Sequence, residues 1–483
     1  MMFRRIRTNI PIKFFSAAQK RVRTVGILLV LLFATAWRVM GQPVSDFVAP
    51  SVACLNQSIQ LTNQSTGATS YFWDFNQGDL LLTPTAQSLG NLGGNIPYGV
   101  ETAFDGNQWF GFIASRGNNT LIRLDFGNSL SNTPVATELS GITGSIAPND
   151  IEIVFAENEW FAFVSGVNQV VTRFDFGNSL TNTPTTTTVI PGGGGSDSGL
   201  DLTYDGSHWY IAYSIGSPSL VGVARLNTIR SIPGVADKSL HPVNGGTQVI
   251  GDIKLIFSQG HWFGYTVSYS GGNQLLRLSY GNDPLSSPSV ANISGTSLSG
   301  VSPFGVDVLP DNGNHVAFVS TDQGNLFRIN LGNDLNQTPT VISDLGRLST
   351  LSNTLKIKFQ KQESRWFGFA VSWAANTVFR ISFPEANVPV SIPSSTNASP
   401  AVSYTGSGNY GISLVSRAGA SASEKHMSIL VENKPAPTID FNLDGICQPH
   451  PITFSSSSNQ TLISSVWNFG DGNTSSAVQP LHT

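Results

Sequence analysis

The stretch Tyr98–Leu139 reads YGVETAFDGNQWFGFIASRGNNTLIRLDFGNSLSNTPVATEL, and variants of it fill most of the chain as far as Phe383. Its tryptophan belongs to a series of anchor positions, which are Trp109, Trp160, Trp209, Trp262, His315 and Trp366. Successive anchors lie 51, 49, 53, 53 and 51 residues apart. A repeat of this length indicates an array of similar supersecondary units.

One repeat reads as four short β-strands. They are expected at about Tyr98–Phe104, Gln108–Ser115, Thr120–Phe126 and Val135–Leu139, with Asp105-Gly106 as a tight hairpin turn. Four strands in about fifty residues match one blade of a β-propeller. A single blade cannot bury both of its faces, so the anchor tryptophans are predicted to fill the spaces between stacked blades.

The last repeat lacks its fourth strand. It stops after Thr377–Phe383, whereas Leu81–Gly93, upstream of the first repeat, resembles the fourth-strand segment Thr338–Leu348. A strand from the far end of the chain can close a ring and remove its exposed edges. The sequence therefore predicts an all-β fold with a six-bladed propeller that is closed by the upstream segment.

Composition and the amino terminus favour export. Only 12% of the 483 residues are charged, and the net charge of −4 gives no electrostatic case for nucleic acid. Residues 1–41 combine a basic lead, the apolar run Val25–Ala36 and a small residue before Gln42. This pattern predicts a signal peptide, with an uncleaved anchor as the alternative. The mature protein is then expected to be secreted or displayed on the cell surface, without a transmembrane segment.

Two further segments match each other outside the repeats. Ser51–Asp79 aligns with Cys447–Gly472, so that YFWDFNQGD in the first copy corresponds to SVWNFGDG in the second. The run Trp467–Gly472, WNFGDG, resembles the W-[DN]-F-G-D-G motif of the PKD domain. This resemblance implies an immunoglobulin-like β-sandwich for both copies.

The first copy is interrupted where the propeller repeats begin. Its missing closing strands resemble Ser399–Leu414 and His426–Glu432, about 320 residues further on. We therefore expect a propeller (residues 80–383) inserted into one PKD-like sandwich (46–79 and 384–433), followed by an incomplete second PKD-like sandwich (434–483). The FGNSLxNTP repeats also resemble propeller-like segments of large secreted Bacteroidota proteins.

Catalytic and metal-binding motifs are scarce. The two cysteines, Cys54 and Cys447, are expected to be buried unpaired thiols, with a disulfide as the open alternative. No hydrolase nucleophile motif occurs, and no set of carboxylates or histidines from different blades is expected to converge in the central channel. Asp440–Gly445, DFNLDG, is expected to be a solvated turn because it lacks the spacing of a calcium loop, with a contribution to a calcium site as the alternative. No cofactor is therefore expected.

The variable positions lie on one rim of the predicted ring. The connections between second and third strands differ while the strands repeat, as expected for a binding face on a fixed scaffold. Within them the candidate ligand-binding residues are Arg116, Asn118, Tyr269, Asp322, Trp373 and Asn376. Tyr269 and Trp373 are expected to be exposed and able to stack on sugar rings.

The function that these observations favour is a non-enzymatic binding or adhesion protein. Its expected partner is an extracellular glycan or a surface protein, with the PKD-like modules as spacers. The alternative is an extracellular hydrolase, for example a carbohydrate-active enzyme, with its catalytic part on the propeller rim or beyond residue 483.

Overall fold

The structure is a computed structural model, and β-strands dominate it. It describes residues 42–139, 147–167, 170–192, 196–243, 246, 248–339, 341–347, 354–433, 439–444, 452–458 and 464–483. The predicted signal peptide lies outside this range. Asp79–Leu81 forms one turn of 3-10 helix. None of the described residues forms a helix of the length and apolarity that a membrane crossing needs.

Six four-stranded antiparallel sheets, here sheets 1 to 6, account for the repeats. Their strands are, for sheet 1, Pro97–Phe104, Trp109–Ser115, Thr120–Gly127 and Val135–Glu138; for sheet 2, Pro148–Ala156, Glu159–Gly166, Val170–Gly177 and Thr185–Ile190; for sheet 3, Ser196–Tyr204, Trp209–Ser217, Leu220–Leu226 and Lys238–Pro242; for sheet 4, Val249–Ser258, His261–Ser270, Gln274–Gly281 and Ser289–Asn292; for sheet 5, Pro303–Asp311, Asn314–Thr321, Asn325–Gly332 and Val341–Arg347; and for sheet 6, Thr354–Gln362, Arg365–Ser372, Thr377–Ser382 and Thr85–Gly90.

The fourth strand of sheet 6 comes from the amino-terminal side of the repeats. Thr85–Gly90 pairs antiparallel with the third strand, Thr377–Ser382, as the sequence predicted for the upstream segment. The hydrogen bonds of this pairing tie two chain segments that are almost 300 residues apart in the sequence. Sheet 6 therefore has the same four-stranded antiparallel order as the other sheets.

The recurring FGNSLxNTP sequence builds the connection between third and fourth strands. In sheet 1, Gly127 takes a positive φ of 64° and Asn132 Nδ2 donates to the Phe126 carbonyl at 2.8 Å. In sheet 2, Asn182 Nδ2 makes the same bond to the Phe176 carbonyl at 2.9 Å. The motif therefore repeats because a turn geometry repeats.

Hydrophobic clusters fill the space between successive sheets. Each of six clusters takes side chains from two neighbouring sheets. The cluster that joins sheet 6 to sheet 1 contains Phe369 and Val378 together with Val100 and Ile122. Since the last sheet packs on the first, the sheets form a closed ring. The anchors Trp109, Trp160, Trp262 and Trp366 are buried as predicted, whereas Trp209 and His315 are half-buried.

Arginines on the third strands of sheets 1, 2, 4, 5 and 6 tie each of these sheets to the next sheet of the ring. The guanidinium groups donate to backbone carbonyls in the third-to-fourth-strand connection of the next sheet, over 2.7 to 3.3 Å. The pairs are Arg123 with Leu180 and Thr181, Arg173 with Ile229, Arg277 with Leu335 and Gln337, Arg328 with Leu80 and Leu82, and Arg380 with Leu130 and Asn132. Asp79–Pro84, DLLLTP, thus takes the place in sheet 6 that SLSNTP has in sheet 1.

The chain segments on either side of the ring pair with each other. The central sheet of this part has five strands, in the order Val52–Cys54, Ser421–Glu432, Gly408–Ala418, Ser70–Asp74 and Ser394–Ser395, and two short pairs join Phe47–Val48 to Thr62–Asn63 and Ile59–Gln60 to Ala401–Val402. Trp73 is fully buried in the shared core, and its Nε1 donates to the Asn397 carbonyl at 2.9 Å. We call this part the sandwich and its longest hairpin, Gly408–Glu432, the sandwich hairpin.

Two sequence expectations outside the ring are wrong. Cys54 is exposed rather than buried, because it ends the edge strand of the five-stranded sheet; Cys447 lies outside the described residues. The segment Asp440–Asp444 belongs to a strand, Ile439–Asp444, that pairs with Ile452–Ser458, so it is not a solvated turn. The carboxy-terminal part also contains the short strands Trp467–Asn468, Thr474–Ser475 and Leu481–His482.

Candidate functional site

The six predicted rim residues lie at one end of the ring, but most of their side chains hold loops in place. The Arg116 guanidinium lies 4.9 Å from the Tyr98 ring. Asn118 Nδ2 donates to the Gly93 carbonyl at 3.0 Å, and Asn376 Oδ1 accepts from the Ile96 amide at 2.7 Å. Arg116, Asn118 and Asn376 therefore fix the segment that leads into sheet 1.

The remaining rim candidates differ in exposure. Trp373 is 39% exposed, as predicted. Tyr269 is half-buried against Phe304 at a centroid distance of 4.9 Å, and burial raises the pKa of its hydroxyl. Its expected exposure is therefore wrong, because the neighbouring sheet covers the ring face. Asp322 is half-buried. Among the described residues no hydrogen bond, ion pair or ring contact joins any two of the six candidates.

The centre of the ring holds two layers of charged side chains, contrary to the expectation that no such set converges. All of them lie on the first strands of the sheets. The inner layer consists of Asp150, Asp252 and Lys356, from sheets 2, 4 and 6. The outer layer lies two residues further along the same strands and consists of Glu101, Glu152, Asp201, Lys254, Asp307 and Lys358.

The inner layer is a fully buried ion triplet. Lys356 Nζ lies 3.1 Å from Asp150 Oδ2 and 2.7 Å from Asp252 Oδ1, and all three side chains have no solvent exposure. Because their sheets are not neighbours, the contacts cross the axis of the ring. Each carboxylate also accepts a backbone amide of the next sheet, from Leu200 at 2.9 Å and from Val306 at 3.2 Å.

Glycines occupy the inner-layer positions of the other three sheets, and close approach explains at least two of them. A Cβ on Gly199 would lie 2.7 Å from both Cα and Oδ1 of Asp252. A Cβ on Gly99 would lie 2.8 Å from Asp150 Cα. The alternation of glycine with a charged residue is therefore a packing requirement at the axis.

The outer layer is also paired, with one exception. Lys358 bonds Glu152, and Lys254 Nζ lies 2.9 Å from Asp201 Oδ1 and 3.7 Å from Asp307 Oδ1. Glu101 has no ion pair among the described residues; its Oε1 accepts the Thr102 amide at 2.7 Å. Burial raises the pKa of Glu101 to about 7, although Lys358 partly opposes the shift.

Burial and the neighbouring lysines also shift the pKa values of other carboxyl groups in the two layers. Burial raises the pKa of Asp252 to about 6, with Lys356 opposing. Burial acts to raise the pKa of Asp201 too, but Lys254 and Lys358 outweigh it and hold the pKa below its usual value. Six carboxyl groups thus share three ammonium groups, and mutual pairing satisfies most of them. The arrangement suits cross-linking of the sheets better than contact with a substrate.

The sheets and the sandwich enclose a cleft of about 700 Å³ at the ring end opposite the rim candidates. The tip of the sandwich hairpin reaches the first turn of sheet 1, where a Cβ on Gly106 would lie 3.2 Å from the carbonyl carbon of Gly419. Further along, the Gly411 amide donates to Asn312 Oδ1 of sheet 5. The hairpin therefore lies across sheets 5, 6 and 1 and leaves the cleft between itself and the mouth of the ring.

The cleft wall combines aromatic rings with amide side chains. The half-buried rings are Phe72, Phe104, Phe155 and Trp209, and the amides are Gln42, Asn107, Asn128, Gln360 and Gln362. Gln42 Nε2 donates to the Phe155 carbonyl at 2.9 Å, so the first described residue forms part of the wall.

The charged groups of the cleft balance one another. Lys361 Nζ lies 2.8 Å from Asp74 Oδ2 and 3.8 Å from Glu424 Oε1, and this pair joins ring to sandwich. Burial opposes the charge on Glu424, but Lys361 and His426 hold its pKa at about 2. The Arg417 guanidinium lies 5.2 Å from the Phe104 ring.

Metal binding finds no support in this geometry. No group of three or more His, Cys, Asp or Glu side chains in the described part of the chain is arranged to hold a metal ion. In the two charged layers, lysine ammonium groups occupy the positions beside the carboxylates.

The sheets, their closed succession and the two-layer centre define an all-β, propeller-like protein. No family model and no curated protein sequence matches the chain. Similar solved structures are Raptor from Chaetomium thermophilum (10% identity, TM-score 0.42, covering 65% of this chain and 30% of that chain), the Dos1 propeller (13%, 0.35, 59% and 68%) and AofleA from Arthrobotrys oligospora (8%, 0.40, 80% and 98%). None of the three TM-scores reaches 0.5, so the architecture rests on the sheet topology.

Proposed function

We propose that this chain is a secreted or cell-surface protein that binds a glycan or a surface protein without catalysing a reaction. In this proposal the six sheets are the blades of a propeller, residues 80–383, inserted into a PKD-like sandwich formed by 46–79 and 384–433. Residues 434–483 would begin a second PKD-like module, and residues 1–41 would direct export.

One observation carries the proposal. The acidic and basic side chains at the ring axis, where reactive groups from all sheets converge, are buried and mostly paired with one another. Paired, desolvated groups are poorly placed to act as general acids or bases on a bound molecule. The surfaces that a ligand can reach from solvent are the rim and the cleft.

A screen of the mature chain, from Gln42 onwards, tests this function. We expect saturable binding on a glycan array or to a protein extracted from the cell surface. Trp373→Ala reports on the rim, since Trp373 is the aromatic rim candidate whose side chain is exposed. Absence of binding to glycans and to surface proteins alike would contradict the proposal.

Glu101 favours a second candidate, an extracellular hydrolase. It is the half-buried, unpaired acid of the outer layer, and its pKa of about 7 is a value that suits a general acid. Ala103, which lies two residues further on the same strand, lines the cleft. Turnover of aryl glycosides or esters that disappears in Glu101→Gln would favour the hydrolase over the binding protein.

A further inference from the structure

We propose that the cleft between the ring and the sandwich hairpin, rather than the rim, is the ligand site, and that its ligand is a neutral oligosaccharide. This inference rests on the proposed binding function and specifies where the ligand binds and what its chemistry is.

The shape of the cleft fits a small ligand. Its volume of about 700 Å³ lies within the usual range of small-molecule sites. One wall is formed by sheets 1, 2, 3 and 6 of the ring and the other by the sandwich hairpin, so a ligand would contact two parts of the chain at once. Sites between two packed units are a common location for ligands.

The charge of the cleft favours a neutral ligand. Among the described residues of its wall, the cations are Lys361 and Arg417 and the anions are Glu363 and Glu424. Lys361 is already engaged by Asp74 and Glu424, and Arg417 lies over an aromatic ring. A phosphorylated or strongly acidic ligand would need an excess of unpaired cations, which this wall does not supply.

The aromatic and amide groups favour a sugar over an apolar ligand. Trp209 is half-buried at the cleft, whereas four anchors at equivalent positions have at most 6% exposure. Its ring packs against Tyr204 at a centroid distance of 4.8 Å, which fixes its orientation. An exposed ring face accommodates the apolar face of a pyranose, and side-chain amides both donate to and accept from hydroxyl groups.

The floor of the cleft lies next to the outer layer of charged side chains. Ala103, Val154 and Gln360 line the cleft and follow Glu101, Glu152 and Lys358 of the outer layer by two residues. Side chains two residues apart on a strand face the same side. A ligand seated in the cleft would therefore end above the outer layer, which suits recognition of one end of an oligosaccharide.

Calorimetry with short neutral oligosaccharides of the β-glucan, xylan, mannan and chitin series tests the proposal on the mature chain. We expect one series to bind, Trp209→Ala to weaken binding about tenfold or more, and Trp209→Phe to retain most of it. Trp373→Ala on the opposite rim discriminates the two sites: an unchanged affinity supports the cleft, and a loss of affinity in this variant alone supports the rim.

A second measurement needs no variant and covers the case in which Trp209→Ala does not fold. Hydrogen exchange of the wild-type chain with the bound oligosaccharide should show protection in residues 359–363 and 415–424. Protection confined to 116–119 and 373–376, or loss of binding in Trp373→Ala alone, would overturn the cleft site while leaving the binding function standing. If no series binds, the oligosaccharide ligand is refuted; the binding function itself falls only if surface proteins also fail to bind.

Discussion

Replacing Lys356 by methionine tests the role of the inner layer. The substitution removes the shared ammonium group from Asp150 and Asp252, and all three side chains are fully buried. Breaking a buried ion pair from one side leaves an uncompensated charge, which costs about 3–5 kcal/mol. We therefore expect Lys356→Met to lower the free energy of unfolding at pH 7 by about 3–5 kcal/mol.

Denaturant unfolding followed by fluorescence measures this loss, and Lys425→Met is the matched control. Lys425 pairs with Asp46 at the surface, where the two side chains are 36% and 44% exposed. An exposed pair contributes about 1 kcal/mol or less, so the control should stay close to the parent.

Protonation of the two inner-layer carboxylates should reduce the stability loss of Lys356→Met. Burial already raises the pKa of Asp252 to about 6, and the loss of Lys356 would raise it further, so the deficit of Lys356→Met should shrink between pH 7 and pH 5. The triple variant Lys356→Met, Asp150→Asn, Asp252→Asn should recover much of the loss, because amide oxygens still accept the Leu200 and Val306 amides. A Lys356→Met deficit no larger than that of the control, or a triple variant as unstable as the single one, would refute the reasoning.

Four further expectations follow from the same structure. Gly199→Ala places a Cβ 2.7 Å from Asp252 Cα and should destabilise the fold by about 1–3 kcal/mol in thermal unfolding, whereas Gly94→Ala, whose Cβ would meet nothing closer than 3.6 Å, should be neutral. Arg380→Leu removes both carbonyl contacts to sheet 1 and should cost about 1–3 kcal/mol; full stability in Arg380→Lys would show that the bidentate geometry is unimportant. Stability should peak at about pH 4: because the pKa values of Glu101 and Asp252 are raised to about 7 and about 6, stability is lost as the pH rises from about 4 through these values, and the low pKa of Glu424 means that stability is lost as the pH falls below about 4. Glu101→Gln should make stability fall less steeply on the alkaline side of this pH profile. An unchanged profile would show that Glu101 does not cause the loss of stability there. If the predicted signal peptide is cleaved, mass spectrometry of the exported protein should give Gln42 as the first residue; a start elsewhere contradicts the prediction.

Much of the ring could be predicted from local sequence because its elements are local. Alternating apolar residues and turn residues such as Asp105-Gly106 and Gly127 specify a strand or a bend within a few residues, and each repeats at a period near fifty. Even the closing strand Thr85–Gly90 could be found, since the last repeat lacks one strand and an upstream segment supplies the missing pattern.

The site was harder to predict, although part of its signal was present. Aligned on the two layers, the first strands read GVE, DIE, GLD, DIK, GVD and KIK, so that the third position is charged in all six strands and the first position in three of them. A charged residue on a strand with one buried face is usually expected to face solvent. The recurrence of a charge at the same position of all six first strands indicated instead that these side chains face a shared axis. The candidates on the rim were chosen for variability, and variability does not distinguish a residue that binds a ligand from one, such as Asn376, that fixes a neighbouring loop.

The sequence by itself determined the strands, the turns, the repeat and the segment that closes it, because each depends on neighbours along the chain. Only the tertiary structure decided which charges meet at the axis, which anchor tryptophan opens on a cleft and that Cys54 is exposed. Lys356 meets Asp150 across 206 residues of sequence, and the cleft exists only where the sandwich hairpin lies over the ring. Such contacts depend on how whole sheets are placed in space, and no pattern within a single repeat encodes that placement.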